Sequence, residues 1–207
     1  MALVKYNNNS ISSVTALDSI ASGSLVLLTT NTISSGVSSS SFTSNINSTY
    51  DTYLFKFINI HPASDSVNFT ANFRDGSSAF DATKTTTFFK AYNNEAGGGH
   101  SNLADMYSSS KDLAQSTSYQ NICDIVGADA DQSVSGTMFL FSPSSTTFVK
   151  HFMFIMNGYT SNDYSQNHFI AGYCNTTSAI DGVDFKFASG NIDSGVIKMY
   201  GLSKSWA

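Results

Sequence analysis

The side chains of this 207-residue chain best suited to chemistry are four histidines (His61, His100, His151, His168), two cysteines and fifteen carboxylates. No histidine pair has the His-x-x-x-His spacing that sets two imidazoles on one helix face to ligate zinc. His151 and His168 fall at the starts of strand-like runs, where a ring bonded to a nearby carbonyl is the expected role. Serine is abundant, yet none sits in a Gly-x-Ser-x-Gly elbow. Asp105, Asp112, Asp124 and Asp163 are candidates for the paired acids of glycoside hydrolysis, whose separation is a tertiary property. Glu95 is the only glutamate. Asp129 and Asp131, following Asp124, could turn several oxygens toward a hard cation, but the glutamate that closes an EF-hand loop is missing and a plain turn is expected. Gly97-Gly98-Gly99-His100 lacks the Lys-Ser/Thr and the helix of a phosphate cradle. These residues predict no enzyme, no metal site and no cofactor.

Binding is a different matter. A sugar presents a C–H face that packs on an aromatic plane and hydroxyls that bond to amides and carboxylates. Tyr107 and the run Tyr159-Thr160-Ser161-Asn162-Asp163-Tyr164 offer such groups, so Tyr107, Tyr159, Asn162, Asp163 and Tyr164 form the candidate glycan contact. The alternative role for these tyrosines is to finish strands and bond at the rim of the fold.

The elements that must position these groups are strands. Only 12% of residues are charged, while sixteen Phe and ten Tyr accompany a wealth of Ser, Thr and Asn; such a mixture suits a pleated, half-buried surface and its turns. With two prolines in the whole chain, little obstructs ladder pairing. Leu25 to Ile33 opens the set. Tyr53 to Ile60 alternates with Tyr53, Phe55 and Phe57 on one face, and Val67, Phe69, Ala71 and Phe73 repeat that period. The link His61 to Asp65 between them suggests an antiparallel pair. Further strands are expected at 85–92, 121–126, 136–141, 149–157, 168–175, 183–188 and 195–202, about ten in all, with a helical turn only at 102–109. This is the pattern of an all-β antiparallel sandwich or jelly roll. Residues 24–207 form the expected single domain, 34–49 a polar loop, and 1–23 an extended N-terminal arm. A core covering roughly 70% of the unfolded surface needs no staples, and Cys123 and Cys174, both in apolar runs, are expected as buried free thiols rather than a pair.

Charge and leader signals exclude several partners. The formal charge is −5 with basic residues scattered singly, so no phosphate-binding stripe forms and nucleic acid is not an expected partner. The first 28 residues lack a secretory pattern, and the longest apolar runs are too short to span a bilayer; a product made in the cytoplasm without membrane insertion is expected. Low charge leaves strand edges prone to association, which oligomerisation would cover.

Two stretches carry a resemblance. Ser48 to Pro62, with Asp65, resembles a strand and turn pattern in structural proteins of marine tailed bacteriophages such as cyanophages. The ending Ser194 to Leu202 is similar to their closing strand, commonly Gly-x-Ile-x-x-Tyr-Gly-Ile. With the serine-rich run before the first motif, the likeness covers most of residues 25–202. It implies a virion location and a tail-fibre-like, baseplate or capsid-surface structural protein, with a capsid decoration protein or a carbohydrate-binding adhesin module as alternatives. Both motifs are structural, so no catalytic or binding residue carries over. The expected partners are copies of the chain in a homotrimer, other virion proteins held through the arm, and a host-surface glycan.

Overall fold

Among the described residues, alternating large apolar and small polar side chains resolve into eleven strands. The computed structural model describes residues 25–97 and 106–202; the expected arm at 1–23, the glycines at 98–99 with His100, and most of the expected helical turn at 102–109 lie outside the described residues. The strands are β1 (Leu25–Ile33), β2 (Ser40–Phe42), β3 (Thr52–Pro62), β4 (Val67–Arg74), β5 (Lys84–Asn94), β6 (Gln120–Val126), β7 (Val134–Phe141), β8 (Lys150–Tyr159), β9 (Tyr164–Cys174), β10 (Gly182–Phe187) and β11 (Ile192–Leu202), with one 3-10 turn at Ser109–Lys111. They pair antiparallel into a seven-stranded sheet, β1-β11-β3-β7-β8-β9-β5, and a four-stranded sheet, β2-β10-β4-β6. The molecule is the all-β sandwich that its composition predicts. Among the described residues no helix is long and apolar enough to cross a membrane.

Two expectations are corrected. β3 and β4 do not form a hairpin; they lie in different sheets. Each strand carries a face of large rings, and facing sheets let those rings meet across the core, as Phe57 meets Phe69 edge-on at 5.8 Å. The chain crosses between layers through Ala63–Ser66, with Ser66 at φ 58°. The loop at 34–49 contains β2, which pairs with β10 through Phe42, Ser41 and Ser40. Three residues are too few for a period to show, yet Phe42 is buried and packs edge-on against Phe55 at 5.3 Å.

The core is one cluster drawn from both sheets. Phe185 of β10 lies at its centre, within ring contact of Phe42, Phe55, Phe57 and Phe69. Such edge-to-face contacts suit the ring quadrupole and add to the burial of large apolar area. Cys123 and Cys174 are both buried and unpaired.

Buried charge closes the sandwich's open side between β5 and β6. Irregular pairing of β6 with β4 leaves both Ile122 and Cys123 in the core and Asp124 buried beside them. The Asp124 carboxylate receives Lys90 Nζ and Lys111 Nζ, each at 3.1 Å, and these cations hold its pKa below the usual carboxylate range against the opposing effect of burial. Two further lysines, Lys84 and Lys150, flank Cys174 in register and are buried along their stems. Their ammonium groups reach loop carbonyls, Lys84 to Ser118 O at 2.7 Å and Lys150 to Thr176 O at 2.9 Å.

Candidate functional site

The outer face of the seven-stranded sheet has a polar end and, beyond it, rows that carry large apolar side chains among lysines and threonines. At the polar end, β8 and β9 are joined by a tight hairpin in which Thr160 N–H bonds Tyr164 O at 3.0 Å and Asp163 adopts φ 61°. Tyr159 ends β8, opposite Ser165 on β9, which in turn lies opposite Asn93 on β5. One pair earlier, Asn157 faces Asn167. Because outward positions recur every second residue, Tyr159, Asn157, Ser165, Asn167 and Asn93 share one face. All but Asn167 edge a shallow concavity of about 360 Å³ shared with Glu95.

The hydrogen bonds of this shelf fix its geometry. The Tyr159 hydroxyl donates to Glu95 Oε1 at 2.9 Å, with Asp163 Oδ1 at 3.4 Å. Its bond to the Glu95 carboxylate, with burial and nearby acids adding less, pushes the phenol up to about 12, so it stays protonated and donating. Asn157 donates to Gln166 O at 3.0 Å. Glu95 N–H bonds Asp163 O at 3.1 Å, tying the end of β5 to the hairpin. The shelf offers a half-exposed ring with amides, a hydroxyl and two carboxylates around it, a set that binds polar hydroxylated surfaces.

The structure gathers only part of the expected glycan contact. Tyr159 and Asp163 stand together, and Asn162 is at the hairpin tip, its N–H bonded to Thr160 Oγ1 at 3.3 Å. Tyr164 precedes outward-facing Ser165 and therefore points to the opposite face, where its ring meets Tyr92 edge-on at 5.6 Å. Tyr107 bridges Phe89, five residues along β5 from the Asn94 position that meets Tyr164, or roughly 17 Å away. Its hydroxyl bonds Asp112 instead, which raises its pKa. Asn93, Glu95, Asn157 and Ser165 were invisible to a search for exposed aromatics, because cross-strand register alone brings them beside Tyr159.

The remaining candidates find structural roles. Asp129 caps a turn in which Gln132 N–H bonds its carbonyl at 2.8 Å, and Asp124 faces two lysines rather than that turn. Among the described residues no three His, Cys, Asp or Glu side chains converge as metal ligands would. His168 is not at a strand start: β9 begins four residues earlier, and the ring lies buried in its middle. There Nε2 accepts the Asp124 backbone N–H at 3.3 Å, and burial lowers its pKa to about 4.

Beyond the shelf the same outer face turns apolar. Cross-strand rows set Leu27, Tyr200, Leu54, Phe139, Met153 and Ala171 in one line, and in the next Ile155, Phe169 and Phe89 continue a row that begins with Lys198, Lys56 and Thr137. Phe89 and Phe169 stack at 4.9 Å and 11°. Leu27 is 52% exposed, Phe89 48% and Met153 47%. Comparison with protein-family models, curated proteins and solved structures finds no match.

Proposed function

We propose that the protein is a non-catalytic structural component of a tailed-phage virion, an appendage or surface protein that works as a self-associated assembly, with a trimer as the expected form. The observation that carries the self-association is the set of exposed apolar side chains Leu27, Met153, Ile155 and Phe89 on the outer face of the seven-stranded sheet. The row from Leu27 to Ala171 crosses six strands and Ile155, Phe169 and Phe89 lie beside it, together roughly 300 Å² from strand spacings of about 4.8 Å and a rise of about 3.4 Å per residue. That falls within the roughly 300–600 Å² of the largest patch on typical monomers, a patch that often serves contact, and below the about 800 Å² each partner contributes to a standard interface, so polar neighbours such as Lys56 and Thr137 join the contact. A second copy of the chain is the occupant that fits, because cyclic symmetry closes such contacts without leaving a patch open. The virion assignment is supported by the resemblance of Ser48–Pro62 and Ser194–Leu202 to phage structural proteins. A building-block role is supported by the use of buried charge: Asp124 is neutralised by two lysines, and His168 is held neutral.

Sedimentation equilibrium of the full chain tests the assembly. Wild-type protein is expected as an oligomer at micromolar concentration, and Met153→Asp as a monomer with unchanged β-sheet circular dichroism. A wild-type monomer at tens of micromolar removes self-association from the proposal. Mass spectrometry of purified particles tests the location, and a chain found in infected-cell lysate but never in particles overturns it.

A further inference from the structure

The geometry points to a binding site for an uncharged sugar on the shelf formed by Tyr159, Asn93, Asn157, Ser165 and Glu95, a site independent of which particle or assembly carries the protein. Three features converge there. First, the Tyr159 ring is half exposed and held by its hydroxyl bond to Glu95 at 2.9 Å, so an aromatic plane is fixed before any ligand arrives and little rotamer entropy is lost on binding. Second, that ring ends a surface row whose other members, Ser165 and Asn93, are hydrogen-bonding groups, with Asn157 and Asn167 forming the next row. Amides and hydroxyls at the spacing of adjacent strands, about 4.8 Å, suit equatorial hydroxyls on alternate carbons of a sugar ring. Third, the concavity of about 360 Å³ falls in the size range of small-ligand clefts.

Charge selects the class of sugar. Glu95 and Asp163 both lie at the Tyr159 hydroxyl, and Asp131 adds its field there. The described residues lining the concavity include no lysine or arginine. An anionic sugar such as a uronic acid would meet carboxylates without a compensating cation, whereas a neutral hexose or an N-acetylhexosamine donates its hydroxyls to them. The carboxylates therefore serve as acceptors for hydroxyl donors and as a repulsive filter against acids. The apolar rows of the same face begin beyond Asn157, with Ile155 the next outward residue of β8, so the shelf lies at the rim of that patch rather than in its middle.

Saturation-transfer-difference NMR on the full chain, with methyl glycosides of glucose, galactose, mannose and N-acetylglucosamine and with methyl glucuronide, tests this. At least one neutral glycoside is expected to bind saturably, with methyl glucuronide at least tenfold weaker. Tyr159→Ala is expected to weaken neutral binding at least tenfold, and Tyr107→Ala to leave it unchanged. Glu95→Gln is expected to narrow the gap between neutral and acidic glycosides. Should Tyr159→Ala lose its β-sheet circular dichroism, Asn93→Ala, at an exposed strand position, decides the matter with an expected loss of threefold or more. No neutral binding, binding indifferent to these variants, or equal binding of the glucuronide overturns the proposal. Neither result bears on the oligomer or the particle location, which sedimentation and particle composition report separately.

Discussion

His168 shows how a residue suited to chemistry becomes a structural one. Its Nε2 accepts the Asp124 N–H at 3.3 Å, so the buried ring must be neutral, and burial lowers its pKa from 6.5 to about 4. An unfolded chain takes up this proton more readily than the folded one. The stability it contributes is thus complete above pH 6.5 and lost as pH falls from 6.5 to about 4, an effect of roughly 2–3 kcal/mol. Asp124, held low by Lys90 and Lys111, adds a further loss only below the usual carboxylate range. Urea unfolding at pH 7.5 and pH 4.5 should show the drop, and His168→Phe should flatten it; an equal drop in that variant would remove His168 as the cause. The thiols make a second residue-scale prediction. Burial pushes Cys174 up to about 12 and Cys123 further still, so neither is a thiolate at pH 8. Ellman's reagent should label no thiol in native protein and two in denatured protein, whereas labelling of one native thiol would contradict this packing.

At the scale of elements, the pairing of strands decides what single residues can do. Gly158 of β8 packs against β6: a Cβ there would stand 2.5 Å from Cys123 Sγ. Gly158→Ala should therefore cost about 1–3 kcal/mol through overpacking, and adding Cys123→Ala should recover much of that loss. A double-mutant cycle by urea denaturation measures the coupling, and strictly additive losses would mean that the two do not touch. Gly195 has a related role in β11. Its φ of 133° sits in an irregularity of the β11–β3 register, where a Cβ would meet Asn59 O at 2.7 Å. The alternation of β8 and β9 also explains why only some of the expected contact residues meet. A period of two puts Tyr159 and Tyr164 on opposite faces, although the hairpin brings their backbones together.

For the whole molecule, the decisive feature is that sequence-distant strands share one core. β1 pairs with β11 at one edge of the large sheet and β5 with β9 at the other, while β7, β8 and β9 follow one another as hairpins, so both edges of that sheet close only when distant segments have met. Folding dominated by such pairs is slow, and unfolding is correspondingly cooperative. Phe185, which joins rings from β2, β3 and β4, should report on this: Phe185→Ala is expected to cost about 3–5 kcal/mol. Far-ultraviolet circular dichroism and aromatic fluorescence should shift together in that variant. Separate transitions for the two probes would show that the sheets do not share one core.

The residues alone carried the fold class, because period-two alternation of aromatic and β-branched side chains is a local property that survives in one dimension. Ten strands were legible in this way, with ends differing from the structure by a few residues. The three-residue β2 was not, since it is too short to show a period and is a strand only by pairing with β10. The Tyr159–Asp163 end of the shelf was legible as an aromatic and polar run. Asn93, Glu95, Asn157 and Ser165 were not, because they come from three strands whose order is set by long-range pairing. Which sheet β4 joins, which face each tyrosine takes, and which lysines neutralise Asp124 were decided only when two sheets closed on one core. Each depends on contacts between residues far apart in the chain, and no local pattern encodes such contacts.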